Sequence, residues 1–172
     1  FFDNNKDYED RLQKAIDRSN DLEVVFQIAR KGKIKELDKI KLEVGKPIKA
    51  MLAQKADNID DAFKKLGTPM AIEYKYDGFR LLIHKKNDKI TLFTRRLENV
   101  TKQFPEVLDH IKKSVKGDSF ILDSEAVGYN KKTKKYIDFQ AISQRIRRKY
   151  NIEEVAKKLP VEINVFDIIY YE

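Results

Sequence analysis

The chain has 172 residues, 41% hydrophobic and 37% charged, enough for one domain of ordinary size or one domain and a piece of another. No run approaches the ~18 apolar residues of a membrane-spanning helix, the start is not a signal peptide, and the lack of cysteine rules out a disulfide framework or a thiolate zinc site, so a reducing cytoplasm is the expected location. A net charge of +8 and a pI near 9.4 suit a polyanionic partner, and suit lysine-rich solubility or thermal adaptation as well.

The opening Phe1-Phe2-Asp3 offers neither an initiator methionine nor a tail and reads as the interior of a longer chain. Residues 8–31 follow helical spacing. Leu12, Ala15 and Ile16 mark one helix; Ser19-Asn20-Asp21 then caps a second with Leu22, Val25, Phe26 and Ala29, and Gly32 stops it. Ile34, Leu37 and Ile40 predict a further short helix, and Val44-Gly45-Lys46-Pro47 reads as a boundary. The section before that break has too little apolar surface to stand alone. Ile59–Leu66 is a short predicted helix, leading through Gly67-Thr68-Pro69 into a more informative run.

Residues 71–80 contain Glu73-Tyr74-Lys75-Tyr76-Asp77-Gly78-Phe79-Arg80. Tyr and Ile favour strand and Asp-Gly marks a turn, so the expected geometry is a strand delivering Lys75 to a tight loop, with the next strand starting at Phe79. A neighbouring cation and partial burial both disfavour a charged amine, which is one way to make a lysine nucleophilic. On spacing alone, an ordinary hairpin with a solvated lysine explains the run too.

Residues 79–85 and 90–95 alternate as a hairpin across Lys86-Asn87-Asp88-Lys89, carrying His84 in a structural or exposed position. Thr94-Arg95-Arg96-Leu97-Glu98 then leaves the strand for a loop, where paired arginines face solvent or grip phosphate. Pro105 begins a helix with Val107, Leu108, Ile111 and Val115, ended by Gly117. Residues 118–129 form a strand with Phe120, Leu122, Ser124 and Ala126 on one face and Ile121, Asp123, Glu125 and Val127 on the other. Two carboxylates on an apolar strand could hold a divalent cation or hydrogen-bond a ribose; a wet edge-strand face is the alternative. After a basic loop at 131–135, Asp138 caps a helix with Phe139, Ile142, Ile146 and Tyr150 on one face. Arg145, Arg147, Arg148 and Lys149 are expected on its other face, open to a nucleic-acid backbone. A short helix at 152–159 precedes a closing strand at 161–171, in which Phe166 is core or a stacking platform.

Lys75-Tyr76-Asp77-Gly78-Phe79-Arg80 resembles the Lys-x-Asp-Gly-x-Arg signature of the covalent nucleotidyltransferases, and with Glu73-Tyr74 is most similar to the ATP-dependent DNA ligases of archaea and eukaryotes. Three further stretches match in order: Thr94-Arg95-Arg96, Leu122-Asp123-Ser124-Glu125-Ala126-Val127, and Val165-Phe166-Asp167-Ile168-Ile169-Tyr170. Ala50-Met51-Leu52-Ala53 resembles the segment opening the adenylation domain. The resemblance implies an α+β fold, an incomplete antiparallel-sheet nucleotidyltransferase (adenylation) domain over residues 46–172, preceded over 1–45 by the last helices of a helical DNA-binding domain.

It further implies that Lys75 is the catalytic nucleophile, carrying AMP from ATP with Mg²⁺. Glu73 would accept from the adenine amino group and Phe166 stack on the base, while Arg80 and Glu125 grip the ribose. Glu125 would also serve the metal, and Arg95 meet a phosphate. The implied partner is nicked double-stranded DNA, with a sliding clamp a further candidate for the full-length protein, which would be a monomer. The family's later strands and its oligonucleotide-binding barrel lie beyond these residues, so this stretch alone is not expected to seal nicks. The alternatives are an RNA ligase or capping-type nucleotidyltransferase, or a non-catalytic nucleic-acid-binding module; the likeness favours ATP over NAD or ADP.

Overall fold

The computed structural model describes residues 6–19, 21–49 and 53–172; the segment 50–52 and the residues Phe1, Phe2, Asp3 and Asn20 invoked above lie outside them. Three helices come first: α1 (Lys6–Ser19), α2 (Leu22–Arg30) and α3 (Ile34–Leu37). Asp21 caps α2 by accepting from the Val24 N–H at 3.0 Å. Gly32, at φ 65°, closes it: its N–H donates to Ala29 O and that of Lys33 to Ile28 O, so the carbonyls left over at the helix end are satisfied. Ala15, Val25 and Leu37 form a small cluster of their own, flanked by Leu12, Ile16, Ile28 and Ile40. α4 (Ile59–Leu66), capped by Asn58, buries no residue.

The sheet follows. β1 (Phe79–Lys86) and β2 (Lys89–Thr94) form the expected hairpin, turned by Asn87 at φ 54°. α5 (Pro105–Ser114) then leads to β3 (Ser119–Asn130), the longest strand. β4 (Lys135–Ile137), α6 (Phe139–Ser143), α7 (Ile152–Lys158) and β5 (Val161–Tyr171) complete the described chain. All pairings are antiparallel. Because β1 and β5 both pair with the same stretch of β3, they must flank it on opposite sides, and β3 is the central strand. The alternation expected for β3 holds: Phe120, Leu122 and Ala126 join Phe79, Leu81, Ile83 and Leu92 in the main core, against Phe104, Val107 and Ile111.

Two expectations fail. Residues 71–76 are not a strand; Ile72 and Tyr74 are 83% and 88% exposed, and no neighbour among the described residues offers them a ladder. β-propensity expresses itself only where another strand supplies backbone partners. The helix expected to run on from Asp138 stops at Ser143 and continues as tight turns, with Arg145 N–H donating to Ile142 O, Ile146 N–H to Ser143 O and Arg148 N–H to Arg145 O. Within these turns Arg145, expected on an open face, turns inward to 1% exposure.

The second sheet face is covered as well: Leu82, Phe93, Ile121 and Val127 are buried, and the turn at residue 45 reaches it through the Gly45 N–H, which donates to His84 Nδ1 at 3.1 Å. With Nδ1 accepting, the ring proton belongs on Nε2, which is buried and has no partner among the described residues. Burial lowers the His84 pKa to about 4. The neutral ring therefore supports the fold above pH 6.5, and that support is lost as pH falls from 6.5 toward 4, because the unfolded chain takes up the proton first. We expect urea unfolding of the unsubstituted protein to lose roughly 3 kcal/mol more than His84→Gln between pH 7 and pH 4; parallel pH profiles for the two proteins would mean that His84 takes up its proton as readily in the folded as in the unfolded chain.

Candidate active site

One cleft of about 1340 Å³ gathers residues from six separate stretches of chain. Its lining includes Glu73, Lys75, Arg80, Arg95, Glu125 and Phe166, that is, each of the site residues expected from the sequence. How they meet follows from strand register. Arg80 stands directly across from Glu125 in the β1–β3 ladder, and Asp123 is one step along the same face of β3. The Arg80 guanidinium takes Asp123 in both hands: Nε donates to Oδ1 at 2.8 Å and Nη2 donates to Oδ2. Asp123 is 2% exposed, so a carboxylate that would be costly to bury alone is fully paired.

The two carboxylates of β3 therefore have different fates, which the sequence did not reveal. Asp123 is consumed as the anchor of Arg80, whereas Glu125 is half-buried and faces the cleft. Burial raises the Glu125 carboxyl above its usual range; Lys75 and then Arg80 pull it back, Asp123 adds to the rise, and the Gly78 N–H bonded to it lowers it. Lys75 is thus close enough to act on Glu125 through its charge. The amine itself is exposed rather than partly buried as expected, because the unpaired segment 71–76 lies open.

Gly78 has a reason that turn statistics miss. Its φ is not in the left-handed region, but a Cβ there would overlap the Ala126 carbonyl oxygen and lie 2.9 Å from its carbon and 3.1 Å from Glu125 Cγ. Only glycine lets the loop after Lys75 press against β3 beside Glu125.

Phe166 reaches the cleft through an irregularity. Asp167 pairs with Asp123 and Val165 with Ser124, leaving Phe166 as the extra residue of a bulge. Bulges re-aim side chains, and here the ring is 40% exposed with the Arg80 guanidinium 5.7 Å from its centroid. Nε and Nη2 of Arg80 are taken by Asp123. Arg95 and Arg96 are exposed at the rim, on a turn closed by Leu97 N–H to Thr94 O at 2.8 Å, and have no ion pair among the described residues. Phe139, Ser143, Gln144, Ile146 and Arg147 also line the cleft; of these, Phe139, Ile146 and Arg147 had been expected on the faces of a longer helix.

Such an arrangement offers an amine, a carboxylate beside it, an aromatic ring and several phosphate-binding cations around a nucleotide-sized space. Residues 50–172 match the family model described as ATP dependent DNA ligase domain. The chain is 52% identical over 148 residues to a DNA ligase of Nanoarchaeum equitans, covering 86% of this chain and 26% of that protein. With a DNA ligase of Methanococcoides burtonii the identity is 43% over 159 residues, or 92% of this chain and 28% of the relative. The chain thus spans about a quarter of the length of the curated relatives it matches. Among solved structures, the ligase domain from M. tuberculosis LigD superposes at a TM-score of 0.41 with 25% identity, over 57% of this chain and 28% of that one, a score too low to carry an argument.

Gly78→Ala is expected to cost about 1–3 kcal/mol in urea unfolding, the usual range for forcing an atom into a packed site. Stability unchanged by that substitution would mean that the loop does not lie against Ala126.

Proposed function

The chain belongs to the ATP-dependent DNA ligase domain family, and from that premise we propose that the full-length protein is an ATP-dependent DNA ligase that takes up AMP on Lys75. The supporting observation is the single cleft shared by Lys75, Glu73, Arg80, Arg95, Glu125 and Phe166. In this reading the Lys75 amine attacks the α-phosphorus of ATP. A nitrogen–phosphorus bond forms as the bond to pyrophosphate breaks. The adenylate then passes to the 5′-phosphate at a nick, freeing Lys75, and the 3′-hydroxyl displaces AMP to close the strand.

Side-chain roles follow from chemistry. Phe166 offers its exposed face to the base, and Glu73 accepts from the adenine amino group, which a guanine lacks at that position. Glu125, with the remaining donor edge of Arg80, holds the ribose. Arg95 meets a phosphate, and Arg96 and Arg147 extend the same basic rim toward DNA. A divalent cation fits in a limited way: no group of three or more His, Cys, Asp or Glu is arranged to hold one among the described residues, and both Asp123 oxygens serve Arg80. Of the two β3 carboxylates, Glu125 is the one left to bind Mg²⁺, whose other ligands would be phosphate oxygens and water. When bound, that ion supplies charge neutralisation at the phosphates.

We also assign residues 46–172 to the first part of the adenylation domain and 1–45 to the end of a preceding helical DNA-binding domain. In support, α1, α2 and α3 keep an apolar cluster distinct from the sheet core.

The test is joining of a nicked duplex by the full-length protein. ATP should support joining and GTP should not, Lys75→Ala should reduce it to background, and Phe166→Ala should weaken ATP uptake about ten-fold, in line with ~1–3 kcal/mol for a base stacked on an aromatic. Joining that persists in Lys75→Ala, or equal use of GTP, contradicts the proposal.

A further inference from the structure

Four arginines and lysines follow α6 in close succession, and one of them behaves unlike the rest. Arg147, Arg148 and Lys149 are wholly or partly exposed, as basic residues ordinarily are, whereas Arg145 is 1% exposed and the largest fully buried side chain of the described protein. Its guanidinium is bound from three directions. Nη1 donates to Leu159 O at 2.7 Å and lies 2.6 Å from Glu106 Oε1; Nη2 donates to Gln103 O at 3.0 Å; and the plane sits over the Phe104 ring at 4.4 Å from its centroid. Leu159 caps the C-terminal end of α7, and Gln103 ends the 3-10 turn Thr101–Gln103, so both carbonyls are ones their helices leave without a partner. Glu106 makes no aligned hydrogen bond, so its part is charge.

A buried guanidinium needs a reason, since it is expensive unless fully compensated. Fold alone does not require it, because a buried hydrophobe of similar volume packs such gaps at least as well. What sets this site apart is its neighbours. Ser143, Gln144, Ile146 and Arg147, which bracket Arg145, all line the same cleft as Lys75. The segment after α6 is held by tight-turn bonds, with Ile142 and Ile146 packed on the core, and Arg145 is the polar side chain that ties it to Gln103 and Leu159.

We propose that Arg145 is a positioning residue: anchored on Gln103, Leu159, Glu106 and Phe104, it holds the cleft wall so that Arg147 faces the phosphate backbone of the nucleic acid. A lysine cannot replace it, because an ammonium has no planar fork to span both carbonyls while stacking on a ring. The inference rests on the ligase reading of the same cleft. It concerns the wall that meets DNA, and leaves the side chains around the nucleotide, carried by other elements, untouched.

The experiment is a double-mutant cycle on the full-length protein, reading the Kd of a nicked duplex at fixed salt beside covalent labelling by ATP. Arg145→Lys is expected to weaken duplex binding about three- to ten-fold in the natural background, to have almost no effect when Arg147→Ala is already present, and to leave labelling within two-fold. Should Arg145→Lys not fold, Glu106→Gln, which loosens the same anchor while keeping its shape, is run through the same cycle with a smaller effect expected. Equal weakening in both backgrounds overturns the inference, as does undiminished duplex binding, or a parallel loss of labelling and binding that follows melting temperature. If the unsubstituted protein neither labels nor binds the duplex, the ligase reading fails, and this inference with it.

Discussion

The fork of Arg80 closed on Asp123 is the contact from which the rest of the site follows. A carboxylate at 2% exposure has no water to solvate it, so its stability depends on a partner that satisfies both oxygens. The partner comes from β1, close after Lys75 in sequence, and fastening it fixes where the loop leaves the sheet. Gly78 completes the fastening by allowing the backbone to touch Ala126. Together they determine register, and register sets Glu125 across from Arg80, within electrostatic reach of Lys75.

β3 therefore does two jobs through its two faces. One face, with Phe120, Leu122 and Ala126, closes the hydrophobic core; the other carries the carboxylates. Its second neighbour, β5, adds the aromatic, and does so by departing from regular pairing at Phe166. The part of the cleft lined by residues 139–147 depends on a different buried charge. Arg145 binds the ends of two helical turns and leaves its sequence neighbours facing the cleft. In both walls an arginine contact, with Asp123 buried in one and Arg145 itself buried in the other, decides with apolar packing where the exposed polar groups stand. Directional contacts suit that task, because a hydrophobic core tolerates small rotations that a bidentate pair does not.

Much of this was legible in the residues. Helical periodicity gave α1, α2, α4 and α5; the Asp21 cap and the Gly32 stop were readable because both act within a turn of their own position. Strict alternation exposed β3 and its two faces, and ordered motifs pointed to Lys75, Glu125 and Phe166 as companions. What stayed hidden was non-local. Residues 71–76 have the composition of a strand but no partner to pair with among the described residues. Arg145 has the composition of a surface residue, and only Gln103 and Leu159, distant in the chain, make its burial possible. Asp123 and Glu125 look alike in the sequence; the choice between anchor and cleft residue is made by the reach of the Arg80 side chain from the neighbouring strand. His84 was expected to be structural or exposed; it is buried, and its tie to Gly45 joins segments that no periodicity links.

The central claim is that this network exists to present one amine to a nucleotide. It is tested most directly by tandem mass spectrometry of the full-length protein after incubation with ATP, locating the side chain that bears the added adenylate. The account predicts an acid-labile, base-stable adduct on the peptide containing Lys75 and nowhere else. Adenylate found on another side chain, or a folded protein that binds ATP and forms no adduct, would contradict it.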